Sequence, residues 1–143
     1  MQNVLQSAFS FLLLRLALSA GFLSAVAGRL GLWGKKSSGW QGFLDYTKQI
    51  NFYLPDQLIS PTAITATFLE TVLGLLLLVG LFTREAALGA AILTLLFAVA
   101  MSVSSGIKEP LDYSVFAFSA GALVLATAEN YIYSLDQLMH PIK

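Results

Sequence analysis

Residues 61–106 read "PTAITATFLETVLGLLLLVGLFTREAALGAAILTLLFAVAMSVSSG": two apolar stretches joined by Thr83-Arg84-Glu85. The first, 61–82, holds a single charge, Glu70, and the second, 86–106, holds none. An α-helix needs about 20 residues to cross ~30 Å of hydrocarbon, and each stretch meets that length. The three residues between them leave room only for a tight antiparallel hairpin. The segment therefore reads as two consecutive membrane spans, with Ser60-Pro61 as N-cap and first helical position of the earlier one.

The same reading extends outward. Upstream, 4–27 is apolar apart from Arg15, set within "FLLLRLALSAG" at 11–21, and a few polar residues at its start. Downstream, "IKEPLD" at 107–112 is a polar break whose Asp112 caps a fourth span over 113–129. The expected fold is all-α, an integral membrane antiparallel four-helix bundle, with one domain covering 1–143 and spans at about 4–27, 61–82, 86–106 and 113–129. Small residues (Ala17, Ala20, Gly21 and Ser24; Gly89, Ala90 and Ala91; Ala117, Ala120 and Gly121) favour close helix contacts.

Composition agrees and excludes much else. The chain is 57% hydrophobic and 11% charged, with a mean hydropathy of +0.75. Soluble domains average roughly 45–50% apolar and about 25% charged. Eight basic and eight acidic residues balance, so nothing points to nucleic acid as a partner. Cysteine is absent, which removes thiolate metal sites, iron–sulfur ligation and thiol redox chemistry. His140, the only histidine, sits in the tail as a solvated residue and cannot bracket a haem. No metal site is expected, and any redox chemistry needs a borrowed cofactor. Residues 1–7 carry no Lys or Arg, and the first arginine falls inside the apolar run, so the expectation is a retained first helix and not a cleaved leader.

The connection 29–60 is longer than a bundle requires. Within it, Trp40, Phe43, Leu44, Thr47, Ile50 and Leu54 recur at helical spacing, with Gln41, Asp45, Lys48 and Gln49 opposite. That pattern predicts a helix lying in the membrane interface, where Trp33, Trp40, Tyr46 and Tyr53 place an apolar ring and a polar tip at headgroup depth. Two readings stand: a plain aromatic belt, or a cap over the open end of the bundle. Orientation stays open. Arg29, Lys35, Lys36, Lys48 and Lys108 lie with the connection against Arg84 and Lys143 with the termini, which favours a cytoplasmic connection.

Two ionisable residues lie deep in spans, and they have opposite signs. Counted from an assumed start of the membrane near Ser7, Arg15 is ~12 Å deep, while Glu70 falls ~16 Å from the same face at 1.5 Å per residue. The expectation is an Arg15–Glu70 pair, because an unpaired charge in hydrocarbon costs on the order of 3 kcal/mol or more. Such groups are read first as a ligand pocket or a proton relay, with a structural clip as the alternative.

"LLRLALSAGFLSAVAGRLGLWG" in the first span, "LETVLGLLLLVGLFTREAAL" across the hairpin and the tryptophan-bearing first loop together resemble the DoxX-like membrane proteins, relatives of the DoxD subunit of thiosulfate:quinone oxidoreductase. The resemblance covers roughly 10–125. It implies a four-helix membrane domain, in some members attached to an oxidoreductase system handling quinone or sulfur compounds. It also implies a bacterial inner membrane with the termini inside, against the charge count. Arg15, Glu70 and Arg84 match the family pattern; Arg15 and Glu70 are the ligand-binding or proton-relay candidates, with Arg84, Trp40 and Tyr46 supporting, and Arg84 in its turn suits snorkelling or capping the preceding helix more than substrate contact. The residues themselves show no nucleophile, metal cluster or phosphate-binding glycine loop, so the enzyme reading rests on the resemblance. Quinone is the cofactor the resemblance suggests; the lipid bilayer, and a protein partner or a second copy, are the expected partners. A noncatalytic scaffold and a small-solute or proton-linked carrier are the competing readings.

Overall fold

The computed structural model describes residues 2–139; His140 and Lys143 lie outside the described residues. Among the described residues all regular elements are helical: α1 (Gln2–Arg29), α2 (Gly39–Ile50), α3 (Asp56–Val79), α4 (Thr83–Ser105), α5 (Lys108–Asp112), α6 (Val115–Ala126) and α7 (Leu135–Met139). A 3-10 turn, Gly34–Lys36, precedes α2. Three of the helices, α1, α3 and α4, are long and apolar enough to cross a membrane.

The hairpin forms, but its turn is Gly80-Leu81-Phe82, and Thr83-Arg84-Glu85, expected as the turn, is the first turn of α4. Gly80 ends α3 in the left-handed conformation, at φ +68°, and the N–H groups of Gly80 and Leu81 both donate to the Leu76 carbonyl. This closes the last turn at a position suited to glycine. Three boundaries differ from the sequence reading. Pro61 is not the first helical residue, because α3 begins five residues earlier behind Pro55 and carries Pro61 within it. A proline so near the start removes only one early intrahelical bond, so the helix runs through it. Asp112 caps nothing and instead pairs with Lys108 within α5; Ser114 precedes α6. The fourth expected span, 113–129, shortens to the 12 residues of α6, about 18 Å at 1.5 Å per residue, well short of a bilayer core.

Packing is led by α4 against α6 and α1 against α3. Ala86, Ala87, Ala90 and Ala91 on α4 meet Ala122, Leu125 and Ala126 on α6, with Leu18, Phe22 and Leu77 completing the core. Two serine hydroxyls cross between helices: Ser19 donates to the Gly74 carbonyl at 2.8 Å and Ser119 to the Ala91 carbonyl at 2.8 Å. Ala90 and Ala91 serve the close contact expected of small residues, and Gly21 admits the Phe118 ring, whereas Ala17, Ala20 and Ser24 stay exposed. The outer faces are apolar, with Phe68, Ile92, Leu96 and Val103 each more than 60% exposed. Large apolar side chains displayed outside buried small ones suit a hydrocarbon surrounding better than water.

The first loop forms the expected helix. In α2, Thr47 and Ile50 are buried and Phe43 and Leu44 half-buried, while Gln41, Asp45, Lys48 and Gln49 are exposed. It contacts α3 and α4 on their side away from the hairpin.

Candidate functional site

Arg15 and Glu70 do not pair. Ser19 sits against Gly74, which fixes the register of α1 on α3. Arg15 is four residues before Ser19, about 6 Å toward the hairpin, and Glu70 is four before Gly74, about 6 Å the other way, so the two are separated by about 12 Å along the axis at 1.5 Å per residue. Side-chain direction widens the gap. A helical Cβ leans toward its helix N-terminus, and on antiparallel helices those directions are opposite, so Arg15 leans to the hairpin and Glu70 away from it. The same rule brings Arg29 and Glu70 together, since Arg29 at the end of α1 leans back toward the carboxylate leaning up to meet it. The depth count failed because α1 overhangs the hairpin end of α3, so Ser7 does not mark the start of a shared slab.

Arg29 is the partner the sequence reading missed. Its Nη1 bonds the Glu70 Oε2 and donates to Thr67 Oγ1 at 3.1 Å. Its guanidinium carbon lies 3.7 Å from the centre of the Phe43 ring. The Arg29 side chain is 10% exposed and that of Glu70 5%. Thus α1, α2 and α3 each contribute to one buried charged cluster: cation, ring face and carboxylate. A signal was present, in that Arg29 closes an apolar span one helix away from the only acid of the next.

Arg29 and Phe43 of this cluster line a cavity of about 790 Å³, with the Glu70 carboxylate behind Arg29. Leu58, Thr62, Ala66 and Leu69 of α3 line one side and Phe97, Ala100 and Met101 of α4 the other, while Tyr46 and Ile50 of α2 lie across the top. Near the hairpin the two walls touch, where Leu73 packs on Gly89, and the space opens only beyond that point. Ligand sites commonly occupy ~300–1,000 Å³ and combine an apolar lining with a few placed polar groups. Tyr46 adds a second polar point: its hydroxyl donates to Glu109 Oε1 at 3.0 Å, and Glu109 Oε2 is buried without a partner. Burial and the adjacent Glu109 carboxylate push the Tyr46 phenol well above its ordinary range, so it stays a donor.

Of the remaining candidates, Trp40 is half-buried and tilts against Phe43 at 5.9 Å between ring centres, supporting the ring beneath Arg29 without lining the cavity. Arg84 is exposed in the first turn of α4, at the opposite end of α3 from the cavity. Arg15 is 2% exposed at that same hairpin end. Its Nη2 donates to the Tyr133 carbonyl at 2.7 Å, and a side chain on Gly80 would collide with its Nη1. Asp136 on α7 accepts from the N–H groups of Phe82 at 2.8 Å and Thr83 at 2.7 Å. Burial raises the Asp136 carboxyl, but the hydrogen bonds at Thr83 and Phe82 and the Arg15 charge outweigh it and hold it below the usual carboxylate value.

The sequence reading thus named Glu70 and Tyr46 near the cavity, placed Arg15 with Glu70 although it lies at the other end, left Arg84 at the hairpin where it is found, and passed over Arg29, Glu109 and Asp136. Among the described residues no group of three or more His, Cys, Asp or Glu side chains is placed to hold a metal ion. No curated protein and no solved structure matches the chain. The DoxX family model matches residues 10–103, a stretch that runs from before Arg15 through the Arg29–Glu70 cluster to the far end of α4, and the chain belongs to the DoxX family.

Proposed function

We propose that this DoxX-family chain is an integral membrane protein in which α1, α3, α4 and the shorter α6 make one antiparallel four-helix domain. In this reading α2 lies in the interface, and the space beneath it takes a lipid-soluble molecule with a polar head. The observation that carries the reading is buried Arg29, held by Glu70 and set against the Phe43 ring, on the wall of the 790 Å³ apolar cavity. A buried ion pair roughly breaks even against apolar packing, so its presence at a cavity wall favours a binding role over a stabilising one.

A quinone-type ring fits this lining: aromatic faces from Phe43, Tyr46 and Phe97, aliphatic walls for a tail, and Arg29 as a hydrogen-bond donor to a ring oxygen. Bound there, a quinone supplies reversible acceptance of two electrons and two protons. The chain's own residues would bind and orient it: Arg29 fixes one polar end, and the Tyr46 hydroxyl, whose proton goes to Glu109, offers an acceptor lone pair near the roof. The membrane-oxidoreductase subunit role, in a bacterial inner membrane, follows from family resemblance. The carrier reading is weaker, because Glu70 is committed to Arg29. The test is extraction of lipid-soluble molecules from protein purified in mild detergent, with native mass spectrometry. A stoichiometric bound molecule is expected, lost in Ala66→Trp, which fills the cavity from α3. Repeatedly empty protein, with no stabilisation by an added short-tailed quinone, would refute the reading.

A further inference from the structure

The hairpin end, remote from the cavity, carries an excess of buried donors. Arg15 is 2% exposed and uses only Nη2; its Nε and Nη1 are buried without partners. Thr83 is fully buried, and its hydroxyl lies beside the Asp136 carboxylate without a hydrogen bond of full geometry. The N–H groups of Phe82 and Thr83, at the start of the 23-residue α4, point at one place and are met there by the two oxygens of Asp136. Arg15 and Asp136 share the neighbour Gly80: Nη1 packs on its Cα, and the Asp136 N–H donates to its carbonyl at 2.9 Å. A helix N-terminus with converging N–H groups attracts anions, and an arginine with unused N–H groups adds directional, charge-assisted donors. A carboxylate has two oxygens; this cluster offers more donors than two oxygens satisfy. Buried polar groups left unpaired in a native site call for an occupant.

We propose that Arg15, the Phe82 and Thr83 N–H groups and the Thr83 hydroxyl form a binding site for a phosphate-type oxyanion, which Asp136 fills as an internal stand-in. A tetrahedral anion has oxygens enough for both N–H groups, the Thr83 hydroxyl and the guanidinium. Its binding displaces Asp136 and with it α7, which is held to the hairpin by the Asp136 carboxylate, its N–H and the Tyr133 carbonyl on Arg15. Because the competing carboxylate is on the same chain, at an effective concentration of about millimolar or higher, the wild-type protein binds free anion weakly. Glu85, exposed in the same turn, further tunes the site against highly charged species.

The experiment uses the full chain, in detergent and in nanodiscs, with thermal unfolding read against inorganic phosphate at constant ionic strength set by chloride. Asp136→Ala is expected to gain a phosphate-dependent rise in Tm, with apparent affinity at least about tenfold tighter than wild type, the value of one charge-assisted hydrogen bond removed from competition. Adding Thr83→Val or Arg15→Lys to Asp136→Ala should reverse most of that gain. Should Asp136→Ala fail to fold, Asp136→Asn, which keeps the shape and removes the charge, carries the same expectation. Discs of phosphatidylglycerol against phosphatidylcholine separate the sources: stabilisation of Asp136→Ala by the anionic lipid without added phosphate assigns a lipid headgroup, and stabilisation by phosphate in the neutral lipid assigns a free anion. A folded Asp136 variant that responds to neither, or whose response survives loss of both Thr83 Oγ1 and the Arg15 guanidinium, overturns the proposal.

Discussion

Replacing Glu70 by Leu removes the carboxylate that neutralises a guanidinium whose side chain is only 10% exposed. Stranding one partner of a buried pair costs ~3–5 kcal/mol. Arg29 keeps its Thr67 hydrogen bond and the Phe43 ring face, a cation–π contact of ~1–2 kcal/mol in a desolvated setting, so Glu70→Leu should fall near the lower end, ~3 kcal/mol. Arg29→Leu strands a carboxylate with no such second support and should cost ~4–5 kcal/mol. The double variant replaces the pair by apolar groups of similar volume and should lie within ~1 kcal/mol of wild type. The coupling energy is then about 6 kcal/mol or more, over ten-thousandfold in the unfolding equilibrium. Reversible unfolding in mixed detergent micelles, followed by helical circular dichroism, gives the three differences directly. The parallel cycle with Arg15→Leu and Glu70→Leu should be additive within ~0.5 kcal/mol, because the sites are ~12 Å apart along the bundle and share no partner. Strong coupling in the Arg15 cycle with none in the Arg29 cycle would refute the register of α1 on α3 and everything built on it.

Gly80→Ala should destabilise by ~2 kcal/mol or more, since alanine at φ +68° costs ~1–2 kcal/mol before its Cβ meets the Arg15 guanidinium; a neutral result by thermal unfolding would contradict the packing at the hairpin. Tyr46→Phe should cost ~1–3 kcal/mol by leaving both Glu109 oxygens without a partner, and Tyr46→Phe with Glu109→Leu should recover most of it; equal losses in both would remove Tyr46 from the polar roof. Asp136 has a native pKa below its unfolded value of ~3.9, so it binds fewer protons when docked; its contribution is complete above that value and lost as pH falls through the depressed native one. Comparing wild type with Asp136→Asn, the stability difference should be flat at neutral pH and vanish under acid; a difference that persists unchanged at pH 2 would contradict it.

The parts of the fold governed by local pattern were readable from the residues. Glu70 and Arg15 as lone charges on apolar spans marked those spans, the polar break at Thr83-Arg84-Glu85 marked the hairpin although its turn lies three residues earlier, and the Trp40–Ile50 periodicity marked α2 with its two faces. What failed was long-range register. Equating the depth of Arg15 and Glu70 needed both helices to start flush, whereas α1 overhangs by about two turns, and that offset is fixed by contacts such as Ser19 on Gly74 that leave no periodic trace. Helix direction, not spacing, chose Arg29 as the partner of Glu70. The short α6 and the docking of α7 were illegible for a related reason: 113–129 is apolar enough for a span, and only the break at Ser114 and the turn after Ala126 limit it.

The way α3 and α4 meet at Gly80 and diverge toward α2 gives the pair the mechanics of tongs. The pivot is a three-residue turn, the arms are stiff, and α2 is a brace across their free ends. From Thr83 to Ser105 an arm is about 33 Å long at 1.5 Å per residue, so each degree of rotation at the pivot displaces its tip by about 0.6 Å. A few degrees changes the span beneath Tyr46 by up to about 2 Å. The leverage also runs in reverse: whatever wedges the arms apart at the membrane face twists the turn on which Arg15, Thr83 and Asp136 converge.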